Sequence, residues 1–199
     1  VETKNASQLQ RDPDEKFASP EQKGAKPHRV AEMPAASTTT APSAGAGTNK
    51  ELKKALKDAG GTGRRVTLAA DGSAVPAIGA PDSVLSVINA ANTIRSFPYI
   101  WGGGHGSFQD NGYDCSGSVS YALAAGGMVG KPMVSGAFEN WGEPGKGKWI
   151  TIYANGGHMF MVVGGLRYDT SFRDGPRGSR WQDAPRNMKG FAVRHWPGR

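Results

Sequence analysis

The pattern of apolar and polar residues predicts an amphipathic helix in the middle of the chain. Apolar side chains recur every three or four positions after Asp82, and Pro98 ends the pattern. The residues on this face are Val84, Val87, Ile88, Ala91 and Ile94. Since that spacing places them on one side of a helix, we predict a helix that is capped by Asp82 and runs to about Ser96.

A second helix is predicted where the chain changes character at Asp114. Residues 99–113 are rich in glycine and polar side chains, which favours a loop. The positions that follow are mostly small or apolar, and two glycines at 126–127 supply a stop signal. We therefore predict a short helix of about three turns with Cys115 in its first turn.

The last third of the chain predicts an antiparallel sheet. Short apolar or β-branched runs alternate there with glycine-rich turns. The predicted strands are residues 149–153, 158–163, 166–170 and 191–195. Helices followed by a meander of strands predict an α+β domain. Weaker signals predict a basic helix at 50–59 and a brief strand at 65–68, with a turn at Asp71-Gly72 after it.

A two-residue turn at 164–165 would set the register of the hairpin around it. Asp169 then lies across from Phe160, and Ser171 lies across from His158. Same-face neighbours recur every second residue, so these four side chains share one face of the sheet. The register predicts that the carboxylate of Asp169 lies diagonal to the His158 imidazole.

Composition separates a polar N-terminal segment from a compact domain. Residues 1–49 carry charges, Pro, Ala, Ser and Thr, and the run at 33–47 is of low complexity. Such a segment buries too little apolar surface to fold. We expect a disordered tail or linker at 1–49, a short helix and connecting segment at 50–81, and one cored domain at 82–199.

The chain is basic, with a formal net charge of +7 and a sequence pI near 9.6. It is therefore attracted to anionic surfaces, among them wall polymers such as teichoic acids. We find no zinc spacing, no nucleic-acid-binding signature, and no apolar run that approaches the roughly 20 residues of a membrane span. The sequence starts at Val1 and not at Met, so a missing secretion signal or upstream domain does not argue for the cytoplasm. We expect a secreted or wall-associated monomer.

Cys115 is the only cysteine, so its role decides the chemistry that we expect. A cysteine in the first turn of a helix faces the positive end of the helix dipole, which stabilises a thiolate nucleophile. The alternative is a small buried core residue. We choose His158 as its base, because a histidine at a strand start can face the start of a helix packed on the sheet. Asp169 either orients that imidazole or is a polar residue at a strand end.

The order of these residues resembles a known family. The chain reads Tyr-x-Trp-Gly-Gly at 99–103, Asp-Cys-Ser-Gly at 114–117 and Gly-His at 157–158. This combination resembles the NlpC-type papain-like cell-wall cysteine peptidases over roughly residues 82–196. Where family members often carry a second histidine, this chain has Asp169 or Thr170.

The resemblance implies a papain-like fold, in which N-terminal helices that include the Cys115 helix pack on a C-terminal antiparallel sheet bearing His158. It implies a cysteine peptidase that hydrolyses the peptide stems of peptidoglycan, with no metal or organic cofactor. Tyr99 is implied to lie beside the nucleophile, and Asp114 and Ser116 are implied to hold the amino end of the stem peptide. Asp114 and Ser116 also suit helix capping.

In the leading hypothesis Cys115 attacks a peptide carbonyl, and His158 acts as base and then as acid to the leaving amine. The Cys115 backbone N–H and Tyr99 stabilise the oxyanion. Two alternatives remain open. The same fold can serve as a non-catalytic wall-binding or phage structural module, or the same dyad can serve an amidase or acyltransferase. His105, in the loop before the cysteine, is either a substrate contact or a surface residue.

Overall fold

The structure, a computed structural model, describes Lys54, residues 65–171 and residues 178–198. The tail expected at 1–49 lies outside the described residues, as does the helix expected at 50–59 apart from Lys54. No helix in the described part of the chain is long and apolar enough to cross a membrane.

Within residues 65–171 and 178–198, two longer helices and one single turn precede the main sheet. Helix α1 is Asp82–Thr93, helix α2 is Cys115–Ala125 and helix α3 is Ser135–Phe138. Helix α2 has the predicted bounds, with Gly126 as its C-cap. Helix α1 ends a few residues before the predicted Ser96.

The predicted cap of α1 is wrong by one residue. Pro81 is the capping residue and makes no side-chain cap bond, while Asp82 is the first helical residue. The backbone N–H groups of Val84 and Leu85 both donate to the Pro81 carbonyl at 3.0 Å. Proline suits this entry because its φ is held near the helical value, and the Asp82 carboxylate in the first turn interacts favourably with the helix dipole.

The described strands form two antiparallel sheets. Strands β1 (Thr67–Leu68) and β2 (Ala74–Val75) make a small hairpin. The strands of the main sheet are β3 (Glu143–Pro144), β4 (Ile150–Ala154), β5 (Met159–Val163), β6 (Leu166–Tyr168), β7 (Trp181–Gln182) and β8 (Ala192–His195). Their order across this sheet is β3-β8-β4-β5-β6-β7.

The main sheet contains the four predicted strands and two that the pattern did not predict. Strand β7 lies inside the stretch at 171–190 that was predicted as a loop, and β3 lies in a region predicted to be irregular. Both have two residues, which is too short to show an alternating pattern. The predicted meander is wrong for β8, which pairs with β3 and β4. It thereby covers an edge of β4 that would otherwise stay unpaired.

The hairpin between β5 and β6 has the predicted register. Met161 pairs with Tyr168. Gly164 and Gly165 have φ values of 53° and 91°, the positive values that a two-residue type I′ turn requires. The chain leaves β6 directly into Asp169, so this turn controls where that carboxylate lies.

Helix α2 is buried along almost its whole length and forms the centre of the core. It packs against α1 on one side and β5 on another. Buried members of one cluster are Ile88 of α1, Val119 and Leu123 of α2, and Met159 and Met161 of β5. The predicted α+β class is confirmed, with the helix that carries Cys115 packed on an antiparallel sheet.

A close backbone contact holds the loop before Cys115 against α2. Asp114 N donates to the Gly103 carbonyl at 3.2 Å, and Gly117 packs against the same carbonyl oxygen. A side chain at position 117 would collide with that oxygen. The glycine therefore allows the loop to approach the first turn of the helix.

The buried guanidinium of Arg180 joins the end of α1 to the chain that enters α2. It donates to the Ile94 carbonyl at 2.6 Å and to the Tyr113 carbonyl at 3.1 Å. Because arginine carries five donors in a rigid fork, one side chain can satisfy carbonyls from two segments. This contact positions the entrance of α2 relative to α1.

We expect Gly117→Ala to destabilise the domain by about 1–3 kcal/mol, because the added methyl group overpacks a closed backbone contact. Urea unfolding followed by circular dichroism measures the loss. Gly106→Ala is the matched control, since a Cβ at Gly106 meets nothing within 4 Å. Equal stability of the two variants would contradict the close contact between Gly117 and the Gly103 carbonyl.

Candidate active site

Cys115 is the first residue of α2 and lines an open cleft of about 370 Å³. Its thiol is free, and 6% of the residue is exposed. The cleft is also lined by Tyr99, Trp101, His105, Asp114, Ser116 and Gly157. The structure thus places the predicted nucleophile and the three predicted substrate-binding residues, Tyr99, Asp114 and Ser116, around one cavity.

Asp114 caps helix α2 through its side chain. Its Oδ1 accepts from Gly117 N at 2.7 Å and from Ser116 Oγ at 3.2 Å, and its Oδ2 accepts from Gly102 N at 3.1 Å. The carboxylate therefore holds the first turn of the helix and the preceding loop together. The capping interpretation of Asp114 agrees with this geometry, and its role in substrate binding stays a prediction.

His105 belongs to the cleft wall and is bound to the same carboxylate. Its Nε2 lies 2.9 Å from Asp114 Oδ2 and 3.1 Å from Ser116 Oγ. The hydrogen bond to Asp114 raises the pKa of His105, although partial burial opposes the charge. The sequence left open whether His105 is a substrate contact or a surface residue. The structure places it half-buried in the cleft wall.

His158 and Asp169 form a buried pair where β5 begins and β6 ends. Asp169 Oδ1 lies 3.1 Å from His158 Nε2, and Ser171 Oγ lies 2.9 Å from the same nitrogen. The backbone N–H of Ser171 also donates to Asp169 Oδ1 at 2.9 Å. These three residues meet because the β5–β6 register brings them to one face, as the sequence predicted.

Asp169 is fully buried, yet its pKa is lowered to about 2. Burial alone raises the pKa, and the hydrogen bond and charge of His158 together with the charge of Arg186 outweigh it. Arg186 Nη1 lies 2.9 Å from Asp169 Oδ2, and Arg167 Nε lies 3.5 Å from the same oxygen. The carboxylate is therefore ionised and held on several sides.

Arg186 is a site residue that the sequence did not predict. Its guanidinium lies over the ring of Phe160 at 5.0 Å and over that of Phe191 at 5.5 Å. The His158 ring lies 6.3 Å from each of the same two rings. Arg186 lies in a segment without a motif, and the only signal for such a partner was that a buried carboxylate needs a cation.

The turn before β5 connects the His158 pair to the cleft. Gly156 and Gly157 line the cleft and directly precede His158. Asn155 Oδ1 accepts from Gly157 N at 3.0 Å and from His158 N at 2.8 Å. An asparagine side chain that bonds its own following backbone stabilises such a turn. The geometry thus fixes the backbone at His158 beside the cavity that Cys115 lines.

The two ring nitrogens of His158 have different surroundings. Nε2 faces the oxygens of Asp169 and Ser171. Since the ionised Asp169 accepts, Nε2 carries the hydrogen, and the lone pair of the neutral ring lies on Nδ1. Within the described part of the chain, no group of three or more His, Cys, Asp or Glu side chains could hold a metal ion.

We expect the Asp169 carboxylate to contribute stability above about pH 4 that is lost as the pH falls toward 2. Its folded pKa of about 2 lies below the unfolded value of 3.8, so protonation favours the unfolded chain. Between about pH 4 and pH 2, the free energy of unfolding of the wild type should fall by about 2 kcal/mol more than that of Asp169→Asn. Urea unfolding at several pH values measures it, with exposed Asp183→Asn as the control. A constant difference between wild type and Asp169→Asn would contradict the assignment.

Comparison with known proteins relates part of the chain to a cell-wall enzyme. No family model matches the chain. It is 31% identical over 117 residues to the peptidoglycan endopeptidase RipB of two Mycobacterium tuberculosis strains, CDC 1551 / Oshkosh and ATCC 25618 / H37Rv. The match covers 46% of this chain and 48% of RipB, so the chain spans about half the length of these curated relatives. A solved structure of the peptidoglycan hydrolase RipB from M. tuberculosis covers 74% of this chain and 80% of its own, at 25% identity and a TM-score of 0.45.

Proposed function

We propose that this protein is a cysteine hydrolase that cleaves peptide bonds in the stem peptides of peptidoglycan. One observation carries the proposal: a free thiol at the start of a helix lines an open cleft, and the turn on the cleft wall leads into a histidine bound by a buried carboxylate. A thiol, an imidazole and an orienting group are the parts that acyl transfer by cysteine requires.

In the proposed mechanism Cys115 attacks the scissile carbonyl carbon as a thiolate. Cys115 is the first residue of α2, so the positive end of the helix dipole lies beside it. His158 takes the thiol proton at Nδ1 and returns it to the nitrogen of the leaving amine. Water then hydrolyses the thioester, with the same imidazole as base. The backbone N–H of Cys115 and the hydroxyl of Tyr99 stabilise the oxyanion.

Asp169 orients the imidazole in this mechanism and stabilises the imidazolium that forms. Its contact with Nε2 directs Nδ1 as the proton acceptor. Arg186 and Arg167 contact Oδ2 of Asp169 and stabilise its negative charge. The other oxygen, Oδ1, therefore remains available for the hydrogen bond with His158. The histidine thus keeps one tautomer and one orientation.

Chemistry and similarity support the substrate and the location that we propose. RipB is named as a peptidoglycan endopeptidase, and the chain shares 31% identity with it over 117 residues. We therefore propose peptidoglycan stems as substrate and a secreted or wall-associated location. The net charge of +7 supports attraction to the anionic polymers of a cell wall.

Cys115→Ala should abolish clearing of peptidoglycan in a zymogram while the circular dichroism spectrum stays native. The thiolate is the nucleophile, so its loss removes the acylation step. Gln109→Ala, an exposed change in the loop before the cysteine, is the control and should clear normally. Clearing by Cys115→Ala would reject the nucleophile. No clearing by the folded wild type would favour a non-catalytic wall-binding or phage structural module.

Two histidines, His158 just before β5 and His195 in β8, give a matched test of the base. His158→Ala should reduce hydrolysis by about a hundredfold or more, because general base catalysis is lost. His195→Ala should keep wild-type activity, since His195 lies against Glu143 and the Gly145 carbonyl on the β3 side of the sheet. The measurement is release of soluble fragments from purified peptidoglycan. Equal activity of the two variants would exclude His158 as the base.

Mass spectrometry of the released fragments separates the proposed reaction from its chemical neighbours. A stem endopeptidase yields fragments cut between two stem residues, whereas an amidase yields whole stems freed from the glycan. An acyltransferase would instead join the acyl group to an added amine. Whole stems or amine-linked products would show that the endopeptidase assignment is wrong. The Cys115–His158 dyad would then serve an amidase or an acyltransferase.

A further inference from the structure

A second groove lies on the face of the main sheet that points away from helix α2. Ile152 of β4 and Met161 of β5 belong to the core cluster that α2 shares. Because successive side chains of a strand alternate between the two faces, Thr151, Tyr153 and Val162 point the other way. These three side chains line a groove of about 550 Å³.

The groove is separate from the cleft that Cys115 lines. The two share no lining residue among those that the structure describes. They also lie at opposite ends of β5, since Gly157 before the strand lines the cleft, whereas Gly164 and Gly165 after it line the groove. A ligand in the groove therefore need not touch the reacting groups.

The rim of the groove is basic. Arg65, Lys146 and Lys148 line it and are exposed, and its described lining residues include no Asp or Glu. None of the three cations forms an ion pair with a described residue. Three cations around one concave surface, with no carboxylate in its described lining, attract a ligand that carries several negative charges.

Hydrogen bonds fix the backbone that carries these cations. The N–H of Gly147, which lies between the two lysines, donates to Thr151 Oγ1 at 3.2 Å. Gly164 N donates to the Trp149 carbonyl at 2.8 Å, and the Gly164 carbonyl accepts from the N–H of Val66, which follows the arginine, at 3.2 Å. The spacing of the three segments is therefore set before binding, and a ligand has to order only side chains.

The other lining residues favour sugar or polyol units over nucleobases. Ile78 is 43% exposed and adds apolar surface to the groove. Tyr153 is only 5% exposed, because its ring stacks on that of Phe160 at 4.9 Å, and Trp149 packs partly against the core. Single-stranded nucleic acid binds where open aromatic faces receive its bases. Both aromatic rings in the described lining are already packed against the protein.

We propose that this groove binds an anionic wall polymer in which phosphodiesters join sugar or polyol units. Arg65, Lys146 and Lys148 bind the phosphates by charge-assisted hydrogen bonds. The choice of a wall polymer rests on the proposed function, which is exercised at a cell wall, whereas binding in the groove requires no hydrolysis. The groove thus anchors the domain to the wall while the cleft stays open to stem peptides.

Isothermal titration calorimetry of the full chain with a synthetic glycerol phosphate oligomer tests the groove. The double variant Lys146→Gln with Lys148→Gln should bind the oligomer about tenfold more weakly than the wild type, because two charge-assisted contacts to phosphate are lost. Added salt should weaken binding by the wild type. A folded wild type that does not bind the oligomer would overturn the proposal.

The matched control is Lys131→Gln with Lys189→Gln. It removes two positive charges, as the groove variant does, from exposed lysines that do not line the groove. Its affinity should stay within about twofold of the wild type, because salt screens charges that do not touch the ligand. Circular dichroism checks that both double variants are folded. An equal loss of affinity in the two would mean that net charge alone attracts the oligomer, and the groove would be rejected.

Single-stranded DNA with the same number of phosphates distinguishes a wall polymer from nucleic acid. At the same ionic strength the DNA should bind the wild type more weakly than the glycerol phosphate oligomer does, because its bases find no open ring to stack on. Equal or tighter binding of the DNA would overturn the assignment to a wall polymer.

Two further measurements separate this inference from the proposed function. Lys146→Gln with Lys148→Gln should cleave a soluble stem peptide at the wild-type rate but bind less to whole cell walls. Walls stripped of phosphodiester polymers by hydrofluoric acid should bind the variant and the wild type equally. Unchanged wall binding by the variant refutes the groove alone. Failure of the wild type to cleave refutes the hydrolase, and the titrations still decide the groove.

Discussion

The buried carboxylate of Asp114 is the interaction on which the geometry around Cys115 depends. An ionised carboxylate is tolerated in a nearly closed site only if fixed donors surround it. Asp114 meets this need with backbone N–H groups from the glycine loop and from the first turn of α2. The same bonds that satisfy the charge therefore fix the loop to the helix. This junction between loop and helix sets the position of the Cys115 thiol.

A second buried carboxylate, Asp169, joins the residue before β5 to the chain that follows β6. Both carboxylates bind the Nε2 atom of a histidine, and both accept a backbone N–H from the next few residues. The surroundings of the two histidines differ. His105 lies half-buried in the cleft wall, whereas His158 is buried among the rings of Phe160 and Phe191. This difference is why we propose His158 as the histidine that transfers protons.

The architecture brings the first of these centres, and the turn that leads into the second, to one cleft. Helix α2 crosses the buried face of the sheet and presents its N-terminus at the end where β5 begins. Gly156 and Gly157 have no side chains, so the backbone of this turn itself forms the cleft wall. A site made by a helix start and a strand start needs both elements to be rigid, and the closely packed core around α2 provides this.

The sequence by itself determined the features that depend on neighbours along the chain. The bounds of α2, the cap at Asp114 and the register of the β5–β6 hairpin follow from local rules of turns, caps and alternation, and the structure agrees with them. The same register accounts for the position of Asp169 next to His158, because a two-residue turn fixes which residues share a face. The proposed catalytic roles of these residues stay predictions.

Tertiary structure alone decided the contacts made between distant segments. Strands β3 and β7 have two residues each and exist only because neighbouring strands pair with them. Arg186 reaches Asp169 from a segment that carries no motif, and the binding of His105 to Asp114 depends on how a glycine-rich loop folds back. Such contacts depend on the path of the whole chain, because a charged side chain binds whichever opposite charge the fold brings near it.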